Sequence, residues 1–232
     1  MAARPLFALA LAVSALAQPG RGAAQSVVVD EGTFAVSLRG APAGTEQFAI
    51  RRAGVGDDAI VIANAVILLD RGAGPMELRP LLEVTPLDDA SVNYQLKVSG
   101  SETSELSVRV AGRRYVARIR TDAGEEEREF LARPGTRIVE EGVAHQYYFL
   151  RGVREGSTTP VIEPRTRRQV QLTASAAADE EITLGATTVR ARKLTLTAGD
   201  DVRHVWFDAQ GRVLRVEIPA QGYVAERQDL VG

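Results

Sequence analysis

The sequence predicts an all-β protein: a large antiparallel open or half barrel with at most one or two short helices, placed after an N-terminal signal peptide. Apolar and polar residues alternate with period two along most of the chain, which puts successive side chains on opposite faces of a sheet. Turn signals such as Gly40-Ala-Pro-Ala-Gly44, Asp122-Ala-Gly124 and Asp208-Ala-Gln-Gly211 separate these runs. Their spacing of roughly 8–12 residues suits hairpin-connected strands rather than βαβ units.

At the N-terminus, Arg4 precedes a 12-residue apolar run from Leu6 to Ala17. That is the length of a signal-peptide core and too short to span a bilayer. Cleavage fits after Ala17 or after Ala24, and the second is favoured because regular alternation starts just beyond it. Residues 1–24 are thus expected to be removed, leaving residues 25–232 as one antiparallel β domain, or as two halves, 25–139 and 140–232. No later run approaches 18 uninterrupted apolar residues, so the exported chain is expected in the periplasm or outside the cell, with no integral membrane segment.

Phe34, Val36 and Leu38 form the apolar face of the first strand, and Gln47–Arg52 follows. Ala59–Leu69 is largely apolar with Asn64 at its centre, and reads as a buried strand. Glu77–Thr85 comes next, then a strand with Val92, Tyr94, Leu96 and Val98 on one face and Ser91, Asn93, Gln95 and Lys97 on the solvated one. Leu106–Val110, Arg114–Arg120 and Glu125–Leu131 continue the series. A loop at Thr121–Gly124 sets Arg120 opposite Glu125 and Arg118 opposite Glu127, pairs worth about 0.2–1 kcal/mol each that fix register more than stability. Glu140–Leu150 reads as either helix or strand: acidic residues suit a helix start, whereas Tyr147, Tyr148 and Phe149 favour β structure. Gly152–Arg168, with Pro160 and Pro164, reads as a loop. Val170–Thr173, Thr187–Thr197, Val202–Asp208, Val213–Ile218 and Gly222–Arg227 complete the strands.

In the C-terminal half, the strand from Gly185 to Leu194 leads to His204-Val-Trp-Phe-Asp208, a Gln210-Gly211 turn and the basic and apolar strand Arg212–Ile218. Over about residues 145–227 this resembles a family of exported bacterial β-rich domains of unassigned function. The resemblance implies an open, curved antiparallel barrel like that of periplasmic lipoprotein carriers. It implies no reaction and no catalytic residues.

Composition narrows the function. With 45% apolar and 25% charged residues the chain is neither a disordered polymer nor a helical membrane protein. The absence of Cys excludes disulfide scaffolds, thiolate metal sites and thiol redox chemistry. A net charge of −2 argues against nucleic-acid binding, and 5% aromatic residues against the aromatic girdles of an integral outer-membrane barrel. His204, Trp206 and Asp208 share a strand face, but residues four apart in a strand lie about 13 Å apart, too far to share a metal. Asp208 is expected to open a turn while Trp206 packs. No Gly-x-Ser-x-Gly, phosphate loop or spaced calcium loop occurs, and the paired acids sit mostly at turns. No catalytic residue, metal or cofactor is therefore assigned.

The remaining candidates are ligand-binding. Arg151, Arg154, Arg165, Arg167 and Arg168 fall close together after Tyr147, Tyr148 and Phe149, and 26 of the 28 basic residues are Arg. Guanidinium groups pair with phosphate or carboxylate, and aromatic faces seat acyl chains or sugars. These eight residues, with His204 and Trp206, are the candidate site. The sequence points to a non-enzymatic envelope protein that binds an amphiphilic or anionic ligand, a lipid or envelope glycan, in a curved-sheet groove. The alternatives are a structural or assembly protein acting through edge strands on an envelope protein partner, and a carboxylate-dependent glycan hydrolase.

Overall fold

The computed structural model describes residues 26–56 and 59–229; the segment read as a signal peptide, 1–24, lies outside them. Among the described residues, β1 (Val27–Leu38), β2 (Ala41–Ala53), β3 (Ile60–Asp70), β4 (Pro75–Val84), β5 (Ser91–Gly100), β6 (Ser104–Ala111), β7 (Arg114–Thr121) and β8 (Gly124–Leu131) form an antiparallel meander. After the two-residue β9 (Arg137–Ile138) come β10 (Thr158–Glu163), β11 (Arg168–Leu184), β12 (Thr187–Ala198), β13 (Asp201–Phe207), β14 (Val213–Ile218) and β15 (Tyr223–Arg227). All belong to one sheet in the order β8-β7-β6-β5-β4-β3-β2-β1-β15-β14-β13-β12-β11-β10-β9. The first and last strands therefore meet in its middle. Every pairing is antiparallel except β9 with β10. The expected β7–β8 hairpin forms with Arg118 opposite Glu127 and Arg120 opposite Glu125, and both ion pairs close at 3.0 Å.

Right-handed twist accumulates across so many strands and curls the sheet until its ends approach. Gln169 on β11 accepts the Leu131 N–H at 3.1 Å and donates to the Leu131 carbonyl at 2.7 Å, so a side chain rather than a strand meets edge strand β8. Arg167 adds a fork onto Glu126, 2.8 Å from Nη2 to Oε2, which holds that carboxyl below its ordinary range. The result is an open, barrel-like sheet with a filled interior.

Alternate residues of the strands, including Phe34, Ile50, Ile67, Leu78, Tyr94 and Val108, line one buried core. The segment Val139–Leu150 runs through it as a plug. Its 3-10 turn, His145–Leu150, buries all six residues, so the stretch that suited helix or strand is neither a regular α-helix nor a strand. Glu46 on β2 anchors the turn: Oε2 accepts the Ala144 N–H at 2.7 Å, and Oε1 accepts the His145 N–H and its ring Nδ1–H, both at 2.7 Å.

Two expectations need correction. Gly152–Arg168 is not all loop: Thr158–Glu163 forms β10, and Pro160 is tolerated because β9 pairs only with Val161 and Ile162, leaving Pro160 at a free edge. Ser91 is buried rather than solvated, because a register shift between Glu83 and Val84 turns it inward. Its hydroxyl accepts the Ile138 N–H at 2.8 Å and its carbonyl the Tyr115 hydroxyl at 2.7 Å.

The plug also carries a pH signature. Burial pushes the Glu140 carboxyl up to about 7 from 4.5, against the opposing pull of Arg165. Between those values the folded protein holds a proton that the unfolded chain has released, so stability falls as pH rises from about 4.5 to 7. The effect is on the order of 3 kcal/mol at 1.36 kcal/mol per pKa unit. Denaturant unfolding at pH 5 and pH 8 should show that loss in the native protein and a flatter profile in Glu140→Gln. The slope is the readout, because glutamine also takes the charge away from Arg165.

Candidate ligand groove

The side chains singled out in the sequence do not converge. Tyr147, Tyr148 and Phe149 lie inside the core as part of the plug. The arginines around them serve as separate ties. Arg151 stacks on the Tyr148 ring at 4.0 Å and pairs with Asp89 at 3.1 Å. Arg165 reaches Glu140 at 3.6 Å, Arg167 takes Glu126, and Arg168 takes Glu163 at 3.3 Å. Arg154 is exposed, with no side-chain partner among the described residues. His204 and Trp206 occupy the other face of the sheet, with their rings edge to face. Trp206 packs with Ile182, Leu184, Ala191 and Leu214 in a small second core, donates to Glu180 at 2.5 Å, and lies between Lys193 and Arg215. Burial pulls the His204 imidazole below its ordinary value, with Lys193 adding to the effect. Asp208 opens the β13–β14 turn as expected, accepting the Gln210 and Arg212 N–H groups at 2.9 and 2.8 Å. Among the described residues no cluster of acids and histidines could hold a metal ion.

The open space lies elsewhere, on the outer face of β3–β8. A groove of about 740 Å³ crosses these strands, and pairing places its outward residues in rows. Gln95 stands opposite Ser107 and then Arg118; Arg79 stands opposite Lys97, Glu105 and then Arg120. Four cations, Arg79, Lys97, Arg118 and Arg120, line it, each paired with an acid that a ligand oxygen would have to replace: Arg79 with Glu77, Lys97 with Glu105 at 4.0 Å, Arg118 with Glu127 and Arg120 with Glu125, both at 3.0 Å. Glu125 holds the Arg120 guanidinium above its ordinary value through a hydrogen bond and charge. Asn64, Gln95 and Ser107 add neutral donors and acceptors, and Val66 and Leu81 supply an apolar floor.

Pro80 is the local cause of the floor's shape. With no N–H to donate, it interrupts the β3–β4 ladder: Asn64 pairs with Leu81 and Ile67 with Leu78, while Ala65 and Val66 have no partner on β4. A proline in the middle of a sheet is rare enough to have flagged this place in the sequence, together with Asn64 in an otherwise apolar strand.

Along the same face, one step toward the β3–β4 turn, a second depression of about 410 Å³ is apolar. Ala43, Leu68, Pro75 and Met76 line it, and Leu68 is 50% exposed. Gly44 lets β2 close on β3 beside the slot, since a Cβ there would strike the Leu68 carbonyl oxygen. Leu68 and Val66 are neighbours on one strand face, as are Glu77 and Arg79 on β4 and Ser99 and Lys97 on β5. The apolar slot and the cationic groove are thus contiguous. Both volumes fall in the range of small-molecule sites.

Fold and groove together define an open, curved, barrel-like β protein whose outer face carries ion-paired arginines beside an apolar slot. No known protein family's sequence profile matches the chain, and no curated protein matches it. Among solved structures it is similar to a beta-barrel-like protein of a domain of unknown function, DUF1849, from Brucella abortus. The TM-score is 0.47 at 8% identity, over 85% of this chain and 94% of that one.

Proposed function

We propose that the protein is a non-enzymatic envelope protein that binds an amphiphile with an anionic headgroup on the outer face of β3–β8. The contiguity of an apolar slot at Leu68 and Pro75 with a groove carrying Arg79, Lys97, Arg118 and Arg120 carries this reading. An acyl tail in the slot gains about 0.8 kcal/mol per buried methylene, and the headgroup lies two residues along each strand, among guanidinium and amide donors. The apolar run ahead of residue 25 supports an exported location, and the filled interior leaves the outer face as the place for a ligand. Export would also bring the protein within reach of lipids and glycans.

Calorimetric titration with monomeric lyso-phosphatidylglycerol and lyso-phosphatidylcholine tests it. The anionic lipid should bind at least tenfold more tightly, with a preference that shrinks as salt rises. Lys97→Glu combined with Arg120→Glu should erase that preference, while Leu68→Asp should weaken both lipids. Equal binding of the two lipids, or no binding, contradicts the proposal.

Strand addition remains a second reading because β15 begins to pair with β1 only at Phe34. The other edge of Val27–Glu31 has no strand among the described residues, and Val27, Val28 and Val29 are exposed there. A photo-crosslinking residue at Val28 in expressing cells should capture one discrete protein on this reading and none on the first.

A further inference from the structure

We propose that the barrel mouth beside the β1–β2 turn is a second binding site, which takes a small oxyanion, a phosphate or carboxylate group, on Arg39 and Arg71. The opening, of about 450 Å³, is lined by Arg39, Asp70, Arg71, Glu141, Gln221 and Tyr223. It meets the apolar slot only at Ala43 and Asp70 and shares no cation with the groove.

Arg39 is held there at a conformational cost. It occupies the first position of a two-residue hairpin turn with φ of 51°, a left-handed conformation that hairpins usually give to Asn, Asp or Gly. Its N–H donates to the Gly222 carbonyl at 2.7 Å, and Gly222, itself left-handed, leaves the space: a Cβ there would lie 2.9 Å from Arg39 Cγ. Two turns from opposite ends of the chain thus lock together around one arginine stem. The Arg39 guanidinium has no hydrogen-bond or ion-pair partner among the described residues. Strain kept at a polar, solvent-facing side chain points to use rather than packing.

The remaining groups complete an anion site. Arg71 lies across the mouth, 2.9 Å from Glu141, and can exchange that carboxylate for a ligand oxygen. Tyr223, 2% exposed, lines the opening, and its hydroxyl has no hydrogen-bond partner. Burial keeps that hydroxyl protonated far above its ordinary range, with Glu46 and Tyr147 in the interior adding to the effect and Arg71 at the mouth opposing it. A neutral phenol can donate to an anion. Asp70 and Glu141 oppose anion entry, so the site suits one small charged group rather than a polyanion.

The test is titration of the full exported chain with inorganic phosphate, read as shifts of the Gly40 and Gly222 amide resonances, for the native protein and Arg39→Gly. Glycine removes the strain, so Arg39→Gly should match or exceed the native Tm without phosphate, yet bind phosphate at least tenfold more weakly. Lys97→Glu with Arg120→Glu should leave the mouth shifts intact, which separates this site from the groove. Equal phosphate binding by the native protein and Arg39→Gly, absence of binding, a lower Tm for Arg39→Gly, or loss of the shifts in the groove variant would each overturn the proposal. Lyso-phosphatidate resolves the source of the oxyanion: tenfold tighter competition than phosphate assigns it to a lipid headgroup, and equal competition to a free anion.

Discussion

Glu46→Leu is expected to destabilise the protein by about 3–5 kcal/mol, the range for removing one partner from a buried charged network. The substitution keeps an apolar body in the sheet, where Glu46 faces Phe34 on β1 and Ile67 on β3. It removes the acceptor of three donors, the Ala144 N–H, the His145 N–H and the His145 ring, each at 2.7 Å and each inside the core. Buried donors left without partners carry their full desolvation cost. The ring has no compensating route, because Nε2 is already buried without a partner. At roughly 2–4 °C per kcal/mol for a chain of this size, calorimetry should record a Tm lower by about 10 °C. Hydrogen exchange should show the loosening first at Ala144–Leu150. A loss under 1 kcal/mol would mean that the plug is held by apolar packing alone.

Arg227→Met is expected to cost a similar amount, about 3–5 kcal/mol, at a different place. Arg227 sits at the end of β15, 1% exposed, with a fork onto Asp30 at 3.0 and 2.8 Å, a bond to the Glu31 carbonyl at 2.7 Å and contact with Asp229 at 3.1 Å. These partners hold the guanidinium above its already high ordinary value despite burial. Asp229 in turn accepts the Thr33 N–H at 2.8 Å, so one arginine fastens the β1–β15 seam where the two ends of the chain meet. Methionine matches the stem but strands the Asp30 carboxylate. Adding Asp30→Leu should recover part of the loss, and that non-additivity in guanidinium unfolding is the check. Additive losses would show that the pair is not coupled.

How much of this the sequence conveyed depends on range. Period-two alternation depends on neighbours in the chain, and it located most strands and even the Arg118–Glu127 and Arg120–Glu125 register. It failed where a distant contact outweighs local preference. Tyr147, Tyr148 and Phe149 lack a strand partner because Glu46, about a hundred residues earlier, pins their segment inside the barrel. β10 was hidden by Pro160, which is accepted because β10 has no partner on one side at that position, and Ser91 by a bulge that alternation cannot register. The arginine cluster is real as sequence and dispersed in space, since Glu126, Glu140, Glu163 and Asp89 each draw one member away. The groove residues come from six strands, and no local window joins Asn64 to Arg120. Pro80 and Asn64, each out of place in its strand, are the signals that could have pointed there, and period-two alternation uses neither.

The central claim, that ligand binds on the outer face of β3–β8 and not within the barrel, is tested most directly by amide and methyl chemical shifts during titration with lyso-phosphatidylglycerol. The account predicts saturable shifts at Val66, Leu68, Leu81, Lys97 and Arg120, with Tyr147–Phe149 unchanged. Shifts centred on the plug segment, with the outer face silent, would contradict it.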